Sequence, residues 1–111
     1  TTLQRPDVLR KSAHRLAGGL SGQPLLPIAN LALGRFYKLL QGSTPLVGVG
    51  GITSAEDAYT KIKAGASLVQ LYTAMAVQGP KVVGDVVEGL STLVQKDGFS
   101  SVNEAVGTAA I

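Results

Sequence analysis

Apolar residues along this chain fall into short unbroken runs that alternate with longer stripes at helical spacing. Pro45-Leu46-Val47-Gly48-Val49 has no polar position, the pattern of a strand covered on both faces. Ala66 to Leu71 reads as a second strand. Between the two, Thr53 to Glu56 has the spacing of a capping box. Glu56 and Asp57 fall in the first turn and Lys61 and Lys63 near the end, as the helix dipole favours. Gly65 then stops that helix. Upstream, the spacing predicts a helix over Asn30 to Leu40, with Asn30 as its cap and Leu33, Phe36, Tyr37 and Leu40 on one side. Downstream, Gly79-Pro80 opens a longer helix with proline at the first helical position. Val82, Val83, Val86, Val87, Leu90, Leu93 and Val94 form its apolar stripe, and Gly98 ends it. Ser101 to Glu104 repeats the capping-box spacing before a short helix over Val102 to Val106. Ala74 to Gln78 is a short apolar segment with no assigned element. Thr1 to Pro6 reads as a loop after a strand, and Asp7 to Ala17 as a solvated connection or a weak helical turn.

Strands alternating with helices through short connections indicate an α/β fold with a parallel sheet. Two parallel strands joined by a crossover helix place both of their C-terminal loops on one sheet edge. Gly50-Gly51 and Tyr72-Thr73 are therefore expected to be neighbours. A glycine pair exposes backbone N–H groups, and a helix N-terminus beyond it adds partial positive charge. The combination is a phosphate cradle without a lysine, of the kind formed by the loops after the last strands of (β/α)8 barrels. The bland alternative is that Gly50-Gly51 is only a tight turn. Gly18-Gly19-Leu20-Ser21-Gly22 is a further glycine-rich loop through which backbone can approach a ligand, although such clusters mark loops of every kind. Two strands do not close a barrel, which takes eight and about 250 residues.

Composition narrows the chemistry. The 111 residues include no cysteine and no tryptophan, and one histidine, His14. A disulfide framework, a thiolate nucleophile and a zinc–cysteine site are excluded, and no metal site is expected. His14 has no carboxylate placed to orient it and reads as a surface residue. The net charge of +3 is scattered except at Arg10, Lys11 and Arg15, so nucleic acid is not an expected partner. No apolar run reaches the roughly 18 residues of a membrane span, and no targeting segment is visible.

Four stretches in order carry a family resemblance. They are Thr1-Thr2 with Arg5-Pro6, GGLSG at Gly18 to Gly22 followed by Pro24-Leu25, GVGGI at Gly48 to Ile52, and AGASLVQLYT at Ala64 to Thr73. Together they resemble the C-terminal part of the quinone-linked (class 2) dihydroorotate dehydrogenases, across nearly the whole chain. The resemblance implies that residues 1–111 are the C-terminal portion of a single TIM (β/α)8 barrel domain that binds flavin mononucleotide (FMN). It implies a cofactor-phosphate site on Gly22, Gly51, Tyr72 and Thr73, with Ser21 and Gly50 as neighbours. Thr1 matches the threonine of an Asn-Thr pair that binds orotate. The family's serine base and flavin-contacting lysine belong to upstream stretches, so no catalytic residue is expected within these residues. Ser21 belongs to the phosphate loop and Ser54 reads as a helix cap, so neither replaces that base. The family has a Ser-Thr pair where this chain has Ala29-Asn30.

The implied parent reaction is oxidation of dihydroorotate to orotate in pyrimidine synthesis, with a quinone as electron acceptor, at the mitochondrial inner membrane or a bacterial membrane. Folding would need the rest of the barrel. Two other readings stand beside it. One is a catalytically inactive fragment that keeps only a phosphate-binding half-site. The other is a different phosphate-binding TIM-barrel enzyme such as a sugar-phosphate isomerase, against which the Gly18 to Gly22 loop and the LVQLYT stretch argue.

Overall fold

The computed structural model describes residues 1–5 and 17–110. His14 and residues 7–16 of the connection expected over Asp7 to Ala17 lie outside the described residues. A 3-10 turn, Gln23–Leu25, leads directly into α1, Leu26–Leu40. The chain continues through β1 (Val47–Val49), α2 (Ala55–Lys63), β2 (Leu68–Gln70), α3 (Thr73–Gln78), α4 (Lys81–Lys96) and α5 (Val102–Ala105). The two strands pair in parallel, with Val47 opposite Leu68, Gly48 opposite Val69 and Val49 opposite Gln70.

Among the described helices only α2 has a side-chain hydrogen bond at its N-cap, and several boundaries differ from those the spacing predicts. Ser54 caps α2, as read for it from the sequence, in place of the Thr53 of the capping-box spacing, and its Oγ accepts from the Asp57 N–H at 3.3 Å. Asp57 reaches back to accept from the Thr53 N–H at 2.9 Å and the Thr53 hydroxyl at 2.7 Å. The capping box is thus real but shifted one residue along the chain. α1 starts four residues earlier than expected. Pro27 suits its first turn, and Asn30 lies inside the helix instead of capping it. Pro80 flanks α4 at the cap position. The unassigned segment after Tyr72 is a helix, α3, that begins at Thr73. At α5 the Glu104 carboxylate accepts from the Ser100 N–H, one residue before the expected partner.

Packing is one-sided. Helix α2 lies between the sheet and α4, and a Cβ on Gly89 of α4 would stand 2.4 Å from the Ala55 Cβ of α2, so these helices touch almost backbone to backbone. One core cluster gathers Leu33, Tyr59, Ile62, Ala64, Ala66, Val94 and Ala105. The second gathers Ile52, Ala58, Ala74, Val82 and Val86. Val69 and Leu90 pack against both. The α4 stripe is narrower than its spacing predicts, because Val83 and Val87 remain exposed. On the other face of the sheet, Val47, Val49 and Leu68 are 50%, 49% and 65% exposed. β1 is therefore covered on one face only among the described residues, where its apolar run predicted two.

Tyr37 of α1 is wedged between two glycines. A Cβ on Gly65 or on Gly107 would fall 2.3 Å from atoms of its ring. The segment after α5 is hydrogen-bonded to the end of α2, from Gly107 N–H to the Ile62 carbonyl at 3.1 Å and from Ala109 N–H to the Lys63 carbonyl at 2.9 Å. Tyr59 of α2 donates to Asp97 at 2.8 Å, while Lys63 lies 3.5 Å from Asp97 and 4.4 Å from the Tyr59 ring centre.

Candidate functional site

At the C-terminal edge of the two strands a cavity of about 220 Å³ opens. Thr1, Ser21, Gly22, Gly50, Gly51, Tyr72 and Thr73 all line it, together with Leu25, Val49, Ile52 and Leu71. Every residue singled out from the sequence as a binding candidate therefore borders one space. The apolar four were not singled out. Val49 and Leu71 follow from strand geometry, because they adjoin the two loops.

Three connections bring the loops together. The parallel pairing of β1 and β2 carries Gly50-Gly51 and Tyr72-Thr73 to the same edge. The segment at Thr1 joins the Gly18 to Gly22 loop through a two-bond bridge, with Leu20 N–H to the Thr2 carbonyl at 2.7 Å and Thr2 N–H to the Leu20 carbonyl at 3.3 Å. Arg5 reinforces it by donating to the Gly18 carbonyl at 2.6 Å. Finally, the Ser21 and Thr73 hydroxyls are hydrogen-bonded at 2.6 Å, which ties the glycine-rich loop to the loop after β2.

The glycines are needed for two different reasons. Gly50 and Gly51 both have positive φ, 102° and 80°, which side chains other than glycine adopt at a cost. At Gly51 a Cβ would also lie 2.5 Å from the backbone nitrogen of Leu26. The first turn of α1 thus occupies the place of the missing side chain at Gly51. Gly22, with φ 88°, sits against Thr73, whose Cγ2 would be 3.2 Å from a Cβ there.

Chemically the cavity offers hydroxyls, backbone amides and apolar walls. Among the described residues no carboxylate lines it, so none of them puts a fixed negative charge on its wall. The leading N–H groups of α3, which starts at Thr73, have no acceptor within their own helix. Tyr72 is 81% exposed, so its ring stands at the rim. Among the described residues no group of His, Cys, Asp or Glu is placed to hold a metal ion, and no helix is long and apolar enough to cross a membrane.

Residues 1–94 match the family model described as dihydroorotate dehydrogenase. The chain belongs to the dihydroorotate dehydrogenase family. Among curated relatives, it is 54% identical over 108 residues to "Dihydroorotate dehydrogenase (quinone)" of Cereibacter sphaeroides (strain KD131 / KCTC 12085), covering 97% of this chain and 30% of that protein. It is 45% identical to "Dihydroorotate dehydrogenase (quinone), mitochondrial" of Arabidopsis thaliana, covering 96% of this chain and 24% of the relative. Among solved structures, ligand-free DHODH from Eimeria tenella superposes with a TM-score of 0.92 at 38% identity, over 97% of this chain and 30% of that one. The chain thus spans about 30% of the dihydroorotate dehydrogenases it matches. The fold is the α/β portion of a TIM barrel, with the open face of its sheet at Val47, Val49 and Leu68.

Sequence reasoning missed one polar pair behind this site, a buried lysine on a half-buried asparagine. Lys61 of α2 has no exposed surface, and its Nζ donates to Asn30 Oδ1 of α1 at 2.7 Å. Burial lowers the Lys61 pKa from 10.5 to about 8, with the negative charge of Asp57 acting in the opposite direction. The available signal was Gly48. A glycine in the middle of a strand leaves room for a neighbouring side chain, and the Lys61 stem fills it.

Proposed function

We propose that this chain supplies the FMN phosphate-binding part of a dihydroorotate dehydrogenase that oxidises dihydroorotate to orotate and passes the electrons to a quinone, in pyrimidine biosynthesis. The observation that carries this reading is the convergence of Ser21, Gly22, Gly50, Gly51, Tyr72 and Thr73 on one carboxylate-free cavity, in a chain of this family. With about 30 Å³ per water in the liquid, 220 Å³ has room for a phosphate ester and the start of its chain. The donor set fits a dianion: amides of Gly51, Tyr72 and Thr73, the Thr73 hydroxyl, and Gly22 where loop and ligand meet closely. When bound, the flavin supplies two-electron redox chemistry, while the protein holds and orients it.

In this reading Thr1, exposed at the cavity, contributes to the substrate's polar edge. The Ser21 hydroxyl at the cavity is bonded to Thr73, and proton removal from dihydroorotate falls to the serine base that the family resemblance assigns to upstream stretches. The described residues therefore bind and position. A quinone acceptor is a membrane lipid, so the protein acts at a membrane, mitochondrial or bacterial.

The test is to purify the full-length protein that contains this chain and measure its flavin content and quinone reduction with dihydroorotate. One FMN per chain and dihydroorotate-dependent quinol formation are expected. Protein with no yellow chromophore overturns the proposal in favour of another phosphate-binding barrel. Stoichiometric flavin without turnover would leave a binding half-site only.

A further inference from the structure

Lys61 is the one fully buried charged side chain among the described residues, and the binding role above makes no use of it. Its position relates it to the Gly50-Gly51 turn from three directions. It belongs to α2, the helix that this turn feeds. Its stem crosses β1, the strand that leads into the turn, with Cδ and Cβ 3.0 and 3.1 Å from where a Gly48 Cβ would lie. Its ammonium ends on Asn30 of α1 at 2.7 Å. One turn before Asn30, α1 rests directly on the glycine pair. Leu26 backbone stands 2.5 to 2.7 Å from the Gly51 Cβ position, and Ala29 and Leu25 stand 3.3 and 3.6 Å from that of Gly50.

We propose that Lys61 is a positioning residue for the anion-binding turn: by bonding Asn30 across β1 it holds the first turn of α1 against Gly50-Gly51 and so fixes the direction of the turn's N–H groups. The physical case is that a lysine is costly to bury, and here its bond to Asn30 offsets part of that cost only while α1 stays in place. An apolar side chain of similar length would fill the space beside Gly48 without that cost. What such a side chain cannot do is grip α1. A glycine pair at positive φ has little stiffness of its own, so its orientation comes from what lies against it. The nearest thing against it is the α1 backbone.

This inference rests on reading the cavity as the flavin-phosphate site, and the experiment separates the two. FMN affinity is measured by flavin-fluorescence quenching on the full-length apoprotein, alongside its thermal midpoint. The variants are Lys61→Met, Asn30→Leu, Asn30→Asp and Val94→Ala. Val94 is buried in the core cluster away from the turn and serves as a control for loss of stability alone. Lys61→Met and Asn30→Leu are expected to weaken FMN binding about tenfold or more, the scale of a lost charged hydrogen bond. Asn30→Asp keeps an acceptor and is expected to stay within a few-fold of wild type, and Val94→Ala likewise. Should Lys61→Met fail to fold, the two Asn30 variants decide alone. Equal affinity in Asn30→Leu, Asn30→Asp and Val94→Ala overturns the positioning role while leaving the cavity reading intact. Wild-type protein that binds no FMN overturns both.

Discussion

At the scale of single residues, the site depends on places where a side chain is missing and one where a charge is hidden. Gly51→Val must either clash with Leu26 backbone or push α1 away, at a backbone conformation valine resists. FMN is expected to be lost from the purified full-length protein, as read by flavin absorbance. Thr73→Ala removes one hydroxyl and its bond to Ser21. Its expected loss is about 0.5–1.5 kcal/mol, near tenfold at most in flavin dissociation constant, smaller than for Gly51→Val. A larger loss at Thr73 would mean that the hydroxyl, not the glycine turn, dominates. Lys61 leaves a mark on stability. Its folded pKa of about 8 lies below its ordinary 10.5, so between those values the unfolded chain binds more protons. Stability therefore rises with pH across that window, by about 3 kcal/mol in all, and the burial cost is fully felt below pH 8. Denaturation of wild type and Lys61→Met from pH 7 to 10.5 checks this. The variant should lack the rise.

At the scale of elements, the closest contact is between α2 and α4. Gly89→Leu forces a side chain into Ala55 and is expected to cost about 1–3 kcal/mol, measured by chemical denaturation, with flavin affinity of the folded fraction little changed. The same elements show what the sequence conveys. Strand–turn–helix–strand order was legible because apolar runs and capping groups are local signals, and parallel pairing then placed Gly51 beside Tyr72 with no further information. Capping details were less legible. Thr53, Ser54, Glu56 and Asp57 offer two overlapping boxes, and only the geometry of the incoming chain selects Ser54 with Asp57. Asn30 looked like a cap because a good capping residue precedes an apolar stripe. Its true partner, Lys61, is 31 positions away, and no local pattern encodes that bond. Helix α3 was invisible because six residues hold too little periodicity to register.

For the whole molecule, the described helices pack on one face of the sheet, and among the described residues the other face is uncovered. Residues 1–111 in isolation are expected to aggregate or to melt without cooperativity, since Val47, Val49 and Leu68 are exposed beside unpaired strand edges. Size-exclusion chromatography and a circular-dichroism melt test this, and a monomer with a sharp transition would contradict it. The Tyr37 wedge extends the consequence to biosynthesis. The ring of α1 finds its seat only once Gly107 is present, and the segment that carries Gly107 is fastened to α2 as far as Ala109. During translation, then, α1 can settle only after the stretch carrying Gly107 and Ala109 has emerged from the ribosome, so the Gly50-Gly51 turn on which α1 rests takes its final shape well after α1 itself has been made.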